Sequence, residues 1–356
     1  MSKNIAFYIT NHGYGHASRN VAIIEELLTK REDIKIWIKT DAERVSFLQR
    51  NLYKYDNRII YNSNYHDVGF ILNTKTYKVD VETLYTRVSE EIENWPYYIK
   101  NECNFLVSEN IDLVVSDVIP WVLLAAKKMH ISSILLCNFT WYEMYKEYLP
   151  ENLCLKYYHA YNSADKIYLY TLGNPDVLKY FSKVEMLSLI SRKRNSEKIQ
   201  EFYSAYKHPI IFVSVGKSIT MEKKYNVSGI EATFLTTTGV ELEGENVVRL
   251  PSDMINTQDY ISASDYVISK TGWSSLAEIF LNKKKAAVIL RGDNPEDNAV
   301  LKQIEERGCG VICNFNDLND INSLIEQMDK IDCNTLDEFH DDLKKIVDNI
   351  LELLEK

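Results

Sequence analysis

Short β-rich apolar runs alternate with amphipathic helical stretches from one end of this chain to the other, and that alternation constrains its fold more than any other feature. A strand, a helix and a second strand in sequence form the unit of a parallel, doubly wound sheet. In the first half, strands are expected at Ile5–Thr10, Ile34–Lys39, Ile59–Tyr61, Leu113–Ser116, Ser133–Cys137 and Lys166–Tyr170. Helices are expected between them at 17–29, 42–51, 119–129 and 141–148, with a long one at 80–109 interrupted by Pro96. The second half repeats the grammar. Its strands are Ile210–Val215, Ala232–Thr236, Asn246–Leu250, Tyr266–Ser269 and Ala286–Leu290, with helices at 256–263, 274–281, 295–307 and 317–329.

The 356 residues exceed one ordinary domain. The reading is an α/β chain of two Rossmann-like domains with doubly wound parallel sheets facing across a cleft. The first spans 1–170 and the second 209–335, joined by a linker at 171–208 and followed by a C-terminal helix at 336–356. The linker carries the basic run Arg192-Lys193-Arg194 and a fresh helix start at Asn195-Ser196.

Acidic residues outnumber basic ones by 51 to 41, a balance opposite to that of a protein gripping nucleic acid along its length. Met1-Ser2-Lys3-Asn4 runs directly into an apolar strand too short for a signal-peptide core, and no apolar run reaches the length of a membrane span. A cytoplasmic protein with reduced thiols is expected. Cys309 and Cys313 lie four apart, but no second Cys/His pair completes a zinc site.

Three loops at strand ends carry the candidate chemistry. The first is Asn11-His12-Gly13-Tyr14-Gly15-His16-Ala17-Ser18-Arg19, between the first strand and the first helix. Its glycines let the backbone turn tightly and a ligand approach, and the helix N-terminus behind them favours anions. A dinucleotide fingerprint would place a third glycine where Ser18 stands, and no complete phosphate-loop Gly-x-x-x-x-Gly-Lys-Ser/Thr pattern occurs, which argues against a kinase. His16 sits at the first helical turn, where the dipole disfavours the imidazolium; a neutral ring facing a cleft suits a general base. The alternative is a histidine that only caps the loop.

The second loop is Lys270-Thr271-Gly272-Trp273-Ser274-Ser275, opening a helix that reaches Glu278. Backbone amides and serine hydroxyls converge there on a spot suited to a diphosphate, with Glu278 placed to accept from both ribose hydroxyls. Ser275-x-x-Glu278 is also a capping box. The third is Arg291 to Ala299, containing Glu296, Asp297 and Asn298, with Pro295 at a natural first-turn position. Gly216, Lys217 and Ser218 follow the first strand of the second domain and would add phosphate contacts, or form an ordinary turn. On the other side, Asp117 and Asn138 end strands of the first domain. Asp117 would orient a histidine or bind a sugar hydroxyl, unless it only starts a helix. Tyr142, Tyr145 and Tyr148, with the aromatic-rich stretch 53–98, would stack on an acceptor or simply pack. The chain has no Asp-x-Asp pair to hold Mg²⁺ or Mn²⁺, so no metal and no cofactor is expected.

The run Gly13-Tyr14-Gly15-His16-Ala17-Ser18-Arg19 resembles the Gly-x-Gly-His-x-x-Arg loop of GT-B nucleotide-sugar enzymes. Among these is the UDP-sugar hydrolase of pseudaminic acid synthesis, whose loop histidine is the base. Tyr8 to Arg19, with Val115 to Pro120 and Asn138 to Trp141, is similar to the glycosyltransferase-like N-terminal region of plant-type L-arabinokinases. Lys270 to Glu278 and Pro295 to Ala299 resemble donor-binding elements of the lipid II-forming N-acetylglucosaminyltransferase and its relatives. The stretches 53–110 and 150–205 carry no such match. The sugar-kinase domain of arabinokinases has no counterpart in the sequence, so kinase activity is not expected. Glu296-Asp297-Asn298 stands where relatives often have an acidic-Gln pair, which leaves the donor sugar open.

The resemblance implies a GT-B glycosyltransferase moving a sugar from an NDP-linked donor, taken as UDP-linked, to a carbohydrate, lipid-linked or protein acceptor without a metal. His16 and Asp117 are the expected catalytic residues, with Gly13, Gly15, Arg19 and Asn138 at the substrate. An NDP-sugar hydrolase with the same base, or a non-catalytic nucleotide-sugar-binding protein, are the alternatives. Neither the oligomeric state nor an inverting or retaining outcome follows from the sequence.

Overall fold

A computed structural model describes residues 2–63, 67–71, 78–216, 220–290 and 295–355. The chain clusters into two compact units. One comprises the residues up to Ser188 and those from Asp342 onward, together with Pro295 and Glu296; the other comprises Leu189–Gly292 and Asp297–Asp341.

The first unit is built on seven strands: β1 (Lys3–Ile9), β2 (Ile34–Lys39), β3 (Ile59–Asn62), β4 (Leu113–Asp117), β5 (Ser132–Cys137), β6 (Lys166–Tyr170) and β7 (Val184–Leu187). All pair in parallel, in the order β3-β2-β1-β4-β5-β6-β7. Its helices are α1 (Tyr14–Lys30), α2 (Ala42–Leu52), α3 (Val81–Ser108), α4 (Trp121–Lys128), α5 (Trp141–Tyr145), α6 (Glu151–Tyr161) and α7 (Val177–Tyr180). Ile5 to Ile9 of β1 are fully buried, as a central parallel strand covered on both faces requires. Tyr8 pairs with Ser116 and Ile9 with Asp117, so β1 and β4 end side by side. Strand order reverses between these two, and the loops leaving them open the crevice in which an α/β sheet binds ligands.

Helix α3 runs unbroken through Pro96. A proline inside a helix costs about 3 kcal/mol. Here Leu84, Val88, Trp95, Cys103 and Leu106 bury one long face in the core, and that burial outweighs the local cost. Periodicity does not announce α6, β7 or the edge strand Val311–Cys313 of the second sheet, because short edge strands and a mixed polar helix carry only a weak pattern.

The second unit has β8 (Ile210–Ser214), β9 (Tyr225–Asn226), β10 (Thr233–Thr236), β11 (Leu242–Glu243), β12 (Val247–Arg249), β13 (Tyr266–Lys270), β14 (Lys285–Ile289) and β15 (Val311–Cys313). Six of these form a second parallel sheet in the order β12-β10-β8-β13-β14-β15, while β9 and β11 pair with each other. Its helices are α8 (Ser196–Ala205), α9 (Thr257–Ala263), α10 (Trp273–Leu281), α11 (Pro295–Arg307) and α12 (Ile321–Asp329). Strand order again reverses beside the first strand of the unit, between β8 and β13. The stretch read as linker, 171–208, holds α7, β7 and α8, with the Asn195 side chain capping α8 as its sequence suggests.

Asp265 ties the end of the α8 segment to β8. Its carboxylate faces His208 Nδ1 at 2.6 Å and accepts the Ile210 amide at 2.7 Å, while His208 Nε2 lies 2.9 Å from the Tyr203 carbonyl. Both ring nitrogens face acceptors, so the imidazolium satisfies both. The Tyr203 carbonyl and then Asp265 raise the His208 pKa above its ordinary 6.5, against the opposing effect of partial burial. A raised histidine stabilises the fold below its unfolded pKa and loses that contribution as pH rises through the folded value. The urea midpoint is therefore expected to fall from about pH 6 to 8, and His208→Gln to flatten that slope; an unchanged slope in the variant would remove the assignment.

The chain ends in α13 (Leu343–Leu354), which belongs to the first unit. Ile346, Val347, Ile350 and Leu354 bury its apolar face, and Lys3 Nζ donates to the Leu354 carbonyl at 2.7 Å. Ion pairs from Lys30 to Asp348 and Arg31 to Glu355 fasten α1 to it, though exposed pairs add little.

Candidate functional site

Gly13 starts α1 at φ +73°, a left-handed geometry that glycine adopts without strain, and serves as its N-cap. Gly13 has no side chain with which to cap the helix, and His16 stands in the first turn with Nδ1 turned onto the end of β4. His16 Nδ1 lies 2.7 Å from Asp117 Oδ1. Arg19, one turn further, gives Nε to Asp117 Oδ2 at 2.7 Å and a terminal nitrogen to Oδ1. Its other terminal nitrogen donates to Asn138 Oδ1 at 2.7 Å. Asn20, which the sequence did not single out, donates to Asp117 Oδ2 at 2.6 Å and to the His16 carbonyl at 2.8 Å. Spacing by three and four on α1 puts all three side chains on one face, above the end of β4.

Burial works against an ionised Asp117, but the charges of Arg19 and His16 and their hydrogen bonds outweigh it and hold the pKa down to about 2. An ionised carboxylate only accepts. Arg19 also lies 2.9 Å from His16 Nδ1, and both groups cannot donate into one another. The consistent assignment has His16 Nδ1–H and Arg19 both donating to Asp117, which leaves Nε2 as the ring nitrogen that Asp117 does not engage. The turn after Asp117 is strained: Val118 sits at φ +65°, a conformation a β-branched residue rarely adopts, and such strain gathers at functional sites. Asp117 closes β4 and does not start a helix; α4 is entered from Pro120.

A second anchored cluster borders this one. The buried Asp67 accepts from Thr10 Oγ1 at 2.8 Å, from the Asn11 amide at 3.3 Å and from Trp141 Nε1 at 3.0 Å. It holds the Asn11–His12 loop against Trp141, whose ring meets that of His12 edge-on at 5.1 Å. Sequence reading missed Asp67 because nothing local links a lone aspartate to a loop 56 residues earlier. Of the tyrosines after Trp141, Tyr145 is fully buried and stacked on Trp141, and Tyr142 packs on Tyr158 and Tyr180. Both serve the core. Tyr65 and Tyr77 lie outside the described residues.

In the second unit, Gly216 follows β8 at φ +75° and Lys270 ends β13. A Cβ on Gly216 would lie 2.5 Å from Lys270 Cε and 2.8 Å from Nζ, so the lysine runs across the bare face of that glycine at the reversal point of the sheet. Helix α10 begins at Trp273 with Gly272 as N-cap and no side-chain cap. Ser274 and Ser275 thus fall inside its first turn, and the capping-box reading of Ser275 and Glu278 gives way. Trp273 is buried, and Thr271 Oγ1 donates to the Ile289 carbonyl at 2.9 Å, which ties the loop to β14. Glu278 is buried and accepts from Arg192 Nε at 2.8 Å. Helix α11 starts at Pro295, with Glu296 half-buried, Asp297 buried and Asn298 exposed in its first turn. Lys217 and Ser218 lie outside the described residues.

Among the described residues no three His, Cys, Asp or Glu side chains group as metal ligands, and no helix is long and apolar enough to cross a membrane. Five of the six cysteines are buried, and all are free thiols.

No family model matches the sequence. A relative in sequence is the L-arabinokinase of Arabidopsis thaliana, 24% identical over 320 residues. The match covers 86% of this chain, which spans 30% of that protein's length. Similar solved structures include UGT2 of Phytolacca americana complexed with UDP-2fluoro-glucose and pterostilbene, at TM-score 0.67, 11% identity and full coverage of both chains. UGT89C1 of Arabidopsis thaliana complexed with UDP has TM-score 0.68 and 9% identity, over 99% of this chain and 100% of that one. The calicheamicin glycosyltransferase CalG4 has TM-score 0.66 and 12% identity, over 100% and 99%. At such identities likeness speaks for architecture, and with its seven- and six-stranded parallel sheets the chain has the GT-B fold of these glycosyltransferases.

Proposed function

We propose that this chain is a glycosyltransferase that moves a sugar from a UDP-linked donor to an acceptor hydroxyl without a metal ion. The observation that carries the reading is the buried His16–Asp117–Arg19 cluster at the reversal point of the first sheet. Asp117 fixes the His16 tautomer and stabilises the imidazolium that forms, and Nε2 takes the acceptor proton as the oxygen bonds to the anomeric carbon. The bond from that carbon to the diphosphate breaks, and UDP carries away the electron pair. Lys270, the N-terminus of α10 and the Ser274 and Ser275 hydroxyls meet the phosphate charge, while Glu278 receives the ribose hydroxyls. Support for UDP comes from the solved neighbours, among them UGT2 complexed with UDP-2fluoro-glucose and UGT89C1 complexed with UDP. The match to L-arabinokinase does not carry a phosphoryl-transfer reading, since this chain spans 30% of that protein's length and holds no complete phosphate-loop pattern.

Titration calorimetry with UDP in EDTA tests the donor half. Binding is expected in the wild type, weakened about tenfold by Glu278→Gln, the worth of one hydrogen bond to a charged group. The glutamine is chosen over alanine because truncation would strand the buried Arg192. Undiminished affinity in a folded variant, or binding that needs Mg²⁺, would contradict the assignment. Release of UDP from a panel of UDP-sugars then separates the reactions. Slow release that accelerates with an acceptor extract supports transfer, whereas rapid, complete release without acceptor identifies a hydrolase.

A further inference from the structure

Asp117 is fully buried and ionised, and an ionised carboxylate offers about four lone-pair sites. All four are filled. Arg19 docks as a fork, with Nε on Oδ2 at 2.7 Å and a terminal nitrogen on Oδ1, and takes the two parallel sites between the oxygens. The two sites left over point apart. His16 Nδ1 lies 2.7 Å from Oδ1, and Asn20 Nδ2 donates to Oδ2 at 2.6 Å. The same Asn20 nitrogen gives its second hydrogen to the His16 carbonyl, one turn back on α1, at 2.8 Å. Asn20 thus closes a circuit that leaves the His16 ring, passes through both oxygens of Asp117 and returns to the His16 peptide.

Asn20 is itself fully buried, and its Oδ1 has no hydrogen-bond partner. The reverse orientation of the amide would aim that oxygen at an anionic oxygen and a carbonyl, neither of which can donate. An unmet buried acceptor costs stability, and asparagine is a mediocre helix former. A leucine, close in shape, would occupy the buried face of α1 without either drawback. What asparagine adds over leucine is its nitrogen. Without that donor one outer lone pair of Asp117 stands empty, the carboxylate can pivot on the Arg19 fork, and the direction from Oδ1 to His16 is no longer fixed. We propose that Asn20 is a positioning residue of the His16–Asp117 pair: by filling the fourth lone pair of Asp117 from the side opposite His16, it holds the proton of the neutral ring on Nδ1 and keeps Nε2 open to the acceptor. The inference rests on the base proposed above at His16, and Asn20 acts on the reaction only through Asp117.

Ring ¹⁵N NMR of the histidine-labelled full chain reads the arrangement without turnover, with the His16 signals identified by their loss in His16→Ala. In the wild type Nδ1 is expected to carry a proton throughout pH 6–9. In Asn20→Leu the neutral ring should divide between the Nδ1–H and Nε2–H forms. The kcat for UDP release from a UDP-sugar with acceptor should fall about tenfold, the worth of one hydrogen bond to a charged group, with KM unchanged. Asn20→Ser serves if the leucine variant fails to fold: a helical serine bonds the carbonyl one turn back but is a bond too short for Asp117, so the same mixing is expected. The wild-type tautomer or an undiminished kcat in a folded variant overturns the role of Asn20. Protonation of the neutral wild-type ring on Nε2 overturns it together with the base assigned to His16. A wild type with Nδ1–H that turns over no UDP-sugar removes the proposed reaction, and the tautomer in the variants then decides the role of Asn20 alone.

Discussion

Asp117→Ala is expected to destabilise the protein by about 3–5 kcal/mol, because it leaves the buried Arg19 charge without its counter-ion. No other single change proposed for this chain removes so much at once. Asp117 is fully buried and accepts from His16, Arg19 and Asn20 together. Chemical denaturation reads the loss. Asp117→Asn separates fold from chemistry, since it preserves the shape but offers His16 Nδ1 a different partner and undoes the tautomer. Turnover is then expected to fall by about 10²–10⁴. Full turnover in Asp117→Asn would show that the carboxylate serves only to hold Arg19. The pH dependence carries its own sign. A carboxyl held at about 2, below its ordinary 3.8, contributes stability above the unfolded value. That contribution drains away as pH falls from about 4 toward 2, and the asparagine variant should lack this segment of the acid-denaturation curve.

His16→Ala is expected to reduce turnover by a similar factor, about 10²–10⁴, while UDP affinity stays within error. The proposed nucleotide contacts are all in the second unit, so removal of a base in the first leaves them in place. Stability should change much less than with Asp117, because no charge is orphaned: Arg19 and Asn20 still satisfy the carboxylate. A variant that turns over normally but unfolds more readily would make His16 a packing residue against Phe139, whose ring it meets edge-on at 5.7 Å.

The strand–helix grammar alone shows both sheets, since a buried parallel strand announces itself as an unbroken apolar run, as in Ile5 to Ile9. Locally coded features also matched their residues. Asn195 caps α8, Pro295 opens α11 and the Gly13 loop leads into α1. Elements whose stability comes from distant packing did not show in this way. Pro96 reads as an interruption, yet α3 continues through it because its buried face lies against the core. Ser275 and Glu278 match a cap, yet the helix starts at Trp273 and the carboxylate belongs to Arg192.

By itself, then, the sequence determined the class of fold, the two sheets and the loops from which candidate chemistry would come, because periodicity and turn residues act over a few positions. Only the tertiary structure decided which side chains meet. His16 and Asp117 are 101 residues apart, and Arg192 and Glu278 are 86 apart. No spacing rule joins such pairs. They are brought together by strand order and by the burial of apolar faces, and once buried a charge must find its partner or destabilise the fold.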